Sequence, residues 1–176
     1  KIGKSSDGVN SYVKSFIPKQ ISETWKDGDS APGNNLMRLT NLSIKPVADD
    51  VQAFITVRTP VQMNFEFRCF VNNCILNINI VLTTMKGECV FNLGTHNIAA
   101  EIGVLMLNTV IPGNLLNNST YVVSLIVLKN NSAPICEFLQ CVSFDVQDVR
   151  EDMYYFGTWP GIVRPQIESV LYYKAT

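Results

Sequence analysis

The chain has 176 residues, 47% of them hydrophobic, 16% charged and 10% aromatic, and its 14 Lys+Arg against 15 Asp+Glu leave a formal net charge of -1. This is the composition of one ordinary globular domain, long enough to bury roughly two-thirds of the surface its unfolded chain exposes, so a core needs neither disulfides nor a metal. A pI near 5.8 argues against a duplex-binding face, which phosphate neutralisation would make basic, and the most continuous apolar runs, at 102–107 and 121–128, fall far short of the ~20 residues that span a bilayer.

Residues 1–35 are polar and close on Asp27-Gly28-Asp29-Ser30-Ala31-Pro32-Gly33-Asn34-Asn35, a dense cluster of turn formers that reads as a linker or N-terminal arm. Within it Val9, Tyr12, Val13, Phe16 and Ile17 recur at helical spacing and predict a short amphipathic helix ended by Pro18. Trp25 is expected to anchor the arm on the main body. The first residues, Lys1-Ile2-Gly3-Lys4-Ser5-Ser6-Asp7, lack the apolar core of a signal peptide, as a fragment of a longer chain also would.

From residue 36 onward, short runs of Val, Ile, Phe and Thr are separated by Asn, Gly and Pro. The pattern predicts an all-β domain over 36–176, an antiparallel two-sheet β-sandwich of immunoglobulin-like or jelly-roll-like form. Strands are expected at 36–45, 51–58, 62–71, 74–84, 88–93, 104–110, 121–129, 135–146 and 162–173. Strict alternation sorts the faces: Met63, Phe65, Phe67 and Cys69 point inward, and Asn64, Glu66 and Arg68 outward. Leu76-Asn77-Ile78-Asn79-Ile80-Val81-Leu82 repeats the logic. If these two strands pair, Glu66, Arg68, Asn77 and Asn79 share one wet face of amides and charges. Such a face can satisfy sugar hydroxyls, although any solvated sheet has a similar composition.

Five cysteines and one histidine limit the chemistry. An odd cysteine count points to a reducing compartment. Cys69 and Cys74, and again Cys136 and Cys141, are five apart, but on a continuous strand that spacing directs the two thiols to opposite faces, so buried, inert thiols are expected in place of a zinc site. A two-residue turn at Asn72-Asn73 would set Cys69 opposite Leu76. His96 follows Gly94-Thr95 in a loop and receives no catalytic role. Neither GxxxxGK[ST] nor GxGxxG occurs, so the chain carries no recognisable phosphate cradle. Asn41, Asn118 and Asn130 open N-glycosylation patterns that an Asn-rich chain produces cheaply.

Three segments together resemble a known family. They are Met85-Lys86-Gly87-Glu88-Cys89-Val90-Phe91, a strand, turn and strand; Val110-Ile111-Pro112-Gly113-Asn114-Leu115-Leu116-Asn117-Asn118-Ser119-Thr120-Tyr121, ahead of a long strand; and Val142-Ser143-Phe144-Asp145-Val146-Gln147-Asp148 followed by Gly157-Thr158-Trp159-Pro160-Gly161-Ile162-Val163-Arg164-Pro165. In this order, after a stretch with Trp25 and Ala31-Pro32, they resemble the C-terminal carbohydrate-binding domain of the ATP-binding subunit of polysaccharide ABC transporters, the Wzt-type O-antigen exporters. The resemblance covers roughly 25–170.

It implies a β-sandwich without catalytic residues or cofactor, at the cytoplasmic face of the inner membrane. There it would recognise the non-reducing end of a lipid-linked glycan, sometimes bearing an anionic or modified cap, and couple chain completion to export. The implied partners are an upstream nucleotide-binding domain, a transporter membrane subunit and a second copy joined by exchange of the last strand. Lys1 would then be an excision point. Leu171-Tyr172-Tyr173 stands where many members end in tryptophan.

The expected carbohydrate-binding residues are Arg68, Glu66, Asn77, Asn79, Tyr154, Tyr155 and Trp159. Arg68 offers a planar fork for an anionic cap. The three aromatics offer ring stacking or a cap on the core, with the cap favoured for Trp159, and Arg164 is expected to be structural. The competing reading is an adhesive or structural β-sandwich on a cell surface, and a third is an enzyme with paired carboxylates.

Overall fold

The computed structural model describes residues 21–26, 30–47, 54–149, 157 and 159–173. The expected helix at 9–17 lies outside them, as do Tyr154 and Tyr155. Nine strands follow in chain order: β1 (Ile21–Thr24), β2 (Met37–Pro46), β3 (Val61–Cys69), β4 (Ile75–Thr84), β5 (Cys89–Gly94), β6 (Ile98–Ala99), β7 (Gly103–Ile111), β8 (Ser119–Lys129) and β9 (Ala133–Val146). One sheet has the order β1-β2-β3-β7; the other has the order β5-β4-β8-β9, with β6 also pairing β4. All strand pairs within them are antiparallel. The expected two-sheet sandwich is the observed fold.

Alternation builds the core. Met63, Phe65 and Phe67 from β3, Leu39, Leu42 and Ile44 from β2, and Leu76, Ile80, Leu82, Tyr121 and Leu125 from the other sheet are all at most 1% exposed. Phe67 meets Phe138 across the sandwich with ring centroids 5.5 Å apart. Burying each such side chain contributes roughly 1.5–3 kcal/mol.

Four expectations are corrected. Residues 71–74 do not form a two-residue hairpin: only Asn73 of the Asn72-Asn73 pair has positive φ, at 53°, whereas a type I′ turn needs two such residues. The chain instead crosses there from one sheet to the other, so β3 and β4 do not pair. The expected strand at 51–58 lies partly outside the described residues, and in the described part only Thr56 bridges, to Gln147. The last expected strand, 162–173, is reduced to a bridge between Val163 and Leu116, and its apolar side chains are open to solvent, with Leu171 100% exposed. Finally, the polar arm contributes β1, which pairs with β2; Trp25 packs on the core as expected. Periodicity could not reveal a four-residue strand whose only inward apolar anchor is Ile21.

The β4–β5 connection turns as anticipated at Gly87, whose φ of 83° is open to glycine without strain. All five cysteines are thiols: Cys69 and Cys136 are buried as expected, Cys74 and Cys141 are half-buried and not fully buried, and Cys89, outside the two spaced pairs, is exposed. A bulge in β9, where Leu139, Gln140 and Cys141 oppose Ser124 alone, breaks the simple alternation between Cys136 and Cys141. Their sulfurs go to different carbonyls, Cys136 to Met37 at 3.7 Å and Cys141 to Val123 at 3.4 Å.

Burial pushes the Cys141 thiol from 9.0 up to about 12 and raises the Tyr121 hydroxyl, the latter partly offset by its hydrogen bond with Asn117. Both groups therefore stay protonated when folded at a pH where the unfolded chain has ionised. Their linkage leaves stability intact below about pH 9 and erodes it as pH rises towards 12. Denaturant midpoints measured from pH 8 to 11 should fall, and Cys141→Ala should flatten the decline; a decline unchanged in that variant would contradict the assignment to Cys141.

Candidate functional site

The inward set of β3 forces its alternate residues onto the outer surface of the first sheet, and strand register aligns them with their neighbours in rows. Ser22, Ser43, Asn64 and Asn108 form one row across β1, β2, β3 and β7; Thr24, Asn41, Glu66 and Met106 form the next. Arg38, Arg68 and Val104 lie beyond the second row, and Lys45, Gln62 and Val110 beyond the first. The first row consists entirely of neutral donors and acceptors.

Hydrogen bonds hold these side chains in place. Gln62 Nε2 donates to Asn64 Oδ1 at 3.2 Å, and Asn64 Nδ2 donates to Ser43 Oγ at 3.1 Å. Thr40 is the extra residue at a bulge between Leu39 and Asn41, and its hydroxyl donates to Glu66 Oε1 at 2.8 Å. Strict alternation would send Thr40 and Asn41 to opposite faces; the bulge leaves both only half-buried, with Thr40 against the one carboxylate of these rows. The guanidinium of Arg38 donates to the Ala31 carbonyl at 3.0 Å, while Arg68 is exposed. The surface thus offers amides, hydroxyls, one carboxylate and cations on a four-stranded support. It can exchange hydrogen bonds with a polyhydroxylated ligand without moving its backbone.

Of the expected site residues, Glu66 and Arg68 are together here. Asn77 and Asn79 are not beside them, because β4 belongs to the opposite sheet; the shared face expected from pairing of β3 with β4 does not exist. There Asn77 lies opposite Leu128, and Asn79 lies between Ile126 and Gly94. Asn77 Oδ1 is buried without a hydrogen-bond partner. Asn77 also lines a cleft of about 660 Å³ at the open side of the sandwich, with His96, Asn97, Met106 and Asn108.

Trp159 sits elsewhere again, in a cleft with the 84–88 turn and residues 117–120. It is 43% exposed, so it does not seal the core as expected. The Arg164 guanidinium lies 4.8 Å from its ring centroid and is held by Asp148 at 2.9 Å, which gives Arg164 the structural part foreseen for it. Sequence reasoning missed Ser43, Thr40 and Asn108, and although it set Asn64 outward it did not assign that residue to the site. The signal was available for Asn108, which alternates with inward Leu105, Leu107 and Thr109, but its place beside Asn64 depends on β7 adding to β3, which no local pattern encodes.

The architecture is that of an antiparallel β-sandwich presenting a hydrogen-bonding sheet surface. The solved structure of the C-terminal domain of Wzt matches it with a TM-score of 0.62, covering 89% of this chain and 90% of that one at 15% sequence identity. The fold is therefore that of the domain which the three sequence segments resemble, and the agreement runs over nearly the full length of both. A β-D-mannosidase from Dictyoglomus thermophilum matches 64% of this chain and 13% of its own, with a TM-score of 0.43 and 12% identity. No family model and no curated protein matches the sequence.

Proposed function

We propose that this chain is a non-catalytic glycan-binding domain that reads the non-reducing terminus of a lipid-linked O-antigen polysaccharide and couples chain completion to export by an ABC transporter at the cytoplasmic face of the inner membrane. The observation that carries the reading is the pair of polar rows crossing the first sheet. Sugar hydroxyls need donors and acceptors in fixed positions, and Ser43, Asn64, Glu66 and Asn108 provide them on a rigid support. The full-length likeness of fold to the Wzt C-terminal domain supports the exporter setting. Arg68, beside the second row, is the group for an anionic cap, with Asn77 and Asn79 reserved for contacts on the opposite sheet.

Titrating the 176-residue chain with the producing cell's own polysaccharide, intact and with its non-reducing end removed, tests this. Binding to intact chains alone is expected, and Asn64→Ala or Asn108→Ala should each weaken it about 3- to 10-fold, the loss of one net hydrogen bond. Equal binding to both preparations, or none to either, would overturn the reading.

The second copy implied by this reading would supply its last segment. Residues 165–173 run exposed, including Ile167, Val170 and Leu171 at 77, 84 and 100%. Between the edge strands β5 and β7 lies an apolar slot of about 240 Å³ lined by Met63, Ile80, Phe91, Ile111 and Leu115. Among the described residues no strand pairs on the free side of β5 or β7, and an edge free to pair seeks a strand. Deleting 166–176 should convert a dimer to a monomer in sedimentation; a dimer that survives the deletion would exclude this exchange.

A further inference from the structure

The cleft at Trp159 has features that the sheet surface lacks. About 390 Å³ in volume, it is lined by Lys86, Glu88, Asn118, Thr120 and Trp159, among others. Burying a polar side chain costs free energy unless its hydrogen bonds are made, and among the described residues, tyrosine and cysteine aside, the buried polar side chains are Thr84, 6% exposed, and Asn117, 3% exposed. Both line this one cleft.

Each buried group fixes a rim. Asn117 Nδ2 donates to the carbonyls of Trp159 and Gly161 at 2.9 and 2.7 Å. Behind it the fully buried Tyr121 hydroxyl accepts from the Asn117 backbone N–H at 2.9 Å and lies 2.9 Å from the Ile162 carbonyl. On the opposite rim the Thr84 hydroxyl accepts from the backbone N–H groups of Lys86 and Glu88, both at 3.3 Å, and donates to Glu88 Oε2 at 3.2 Å. The loop bearing Trp159 and the turn bearing Lys86 and Glu88 are thus both tied to the sandwich by hydrogen bonds to buried side chains. Such fixed positioning lowers the entropic cost of binding.

We infer that this cleft is a second saccharide site, taking a single uncharged pyranose ring. The indole keeps 43% exposure with the Arg164 guanidinium on it, leaving apolar surface for the C–H face of a sugar. Glu88 accepts from ring hydroxyls, Lys86 donates to them, and Asn118 and Thr120 do both. The opposite charges of Lys86 and Glu88 balance, which favours a neutral unit over an anionic one. None of these residues belongs to the rows of the first sheet. The inference shares the glycan-binding reading proposed above but stands on different side chains.

The test labels the chain with 5-fluorotryptophan, giving two ¹⁹F resonances for Trp25 and Trp159, assigned through Trp159→Phe. The probes are methyl pyranosides of glucose, galactose and mannose. At least one should shift the Trp159 signal saturably, with a Kd on the order of millimolar, and Glu88→Gln should weaken that binding at least ~5-fold while Asn64→Ala leaves it unchanged. No saturable shift with any of the three, or a shift insensitive to Glu88→Gln, would overturn the inference. A shift that persists when intact polysaccharide fails to bind would uphold this site while refuting the terminus-reading role.

Discussion

The period of two in β3 is the constraint on which the rest depends. Met63, Phe65 and Phe67 are each at most 1% exposed between the sheets, so Gln62, Asn64, Glu66 and Arg68 must emerge on the other side of the same strand. Because β3 is flanked by β2 and β7, the ladder hydrogen bonds carry that assignment outward to Ser43 and Asn108. The polar surface is thus the reverse side of the core. Slipping β3 by one residue would bury a carboxylate, a guanidinium and two amides, so register and surface chemistry are enforced by the same free energy.

The two candidate sites gain rigidity by different means. On the sheet surface the backbone ladder supplies it, and side-chain bonds such as those of Asn64 and Thr40 only orient the outermost atoms. At the Trp159 cleft the described residues form no ladder: the loop at 159–164 joins the body through the Leu116–Val163 bridge and a few backbone bonds. There Asn117 and Tyr121 take over, inserting polar groups into the sandwich end where their hydrogen bonds are fully made. Their burial is intelligible as the means of fixing a loop.

Much of the sandwich was legible in the sequence because its strands are long and strictly alternating. β3 and β4 could be read almost to the residue, and Gly87 marked its turn. Connectivity was not legible: Asn72-Asn73 looks like a hairpin turn, yet Asn72 does not take the positive φ that such a turn needs, and the chain crosses between sheets instead. That single crossing separates Asn77 and Asn79 from Glu66 and Arg68. Ile162 to Tyr173 is apolar enough to be read as a strand, but strand formation requires an edge to pair with, which is a property of the assembly. Trp159 was visible as an aromatic of interest; that Asn117, 42 positions away, would hold its carbonyl was not.

The most direct test of the central claim is an amide ¹H–¹⁵N titration of the isotopically labelled chain with its intact polysaccharide. Shift changes concentrated at Ser43, Asn64, Glu66, Arg68 and Asn108 are the predicted result, since these neighbours come from three strands and meet only on the first sheet's outer surface. Changes confined to β4, β8 and β9, with the β2, β3 and β7 rows silent, would contradict it.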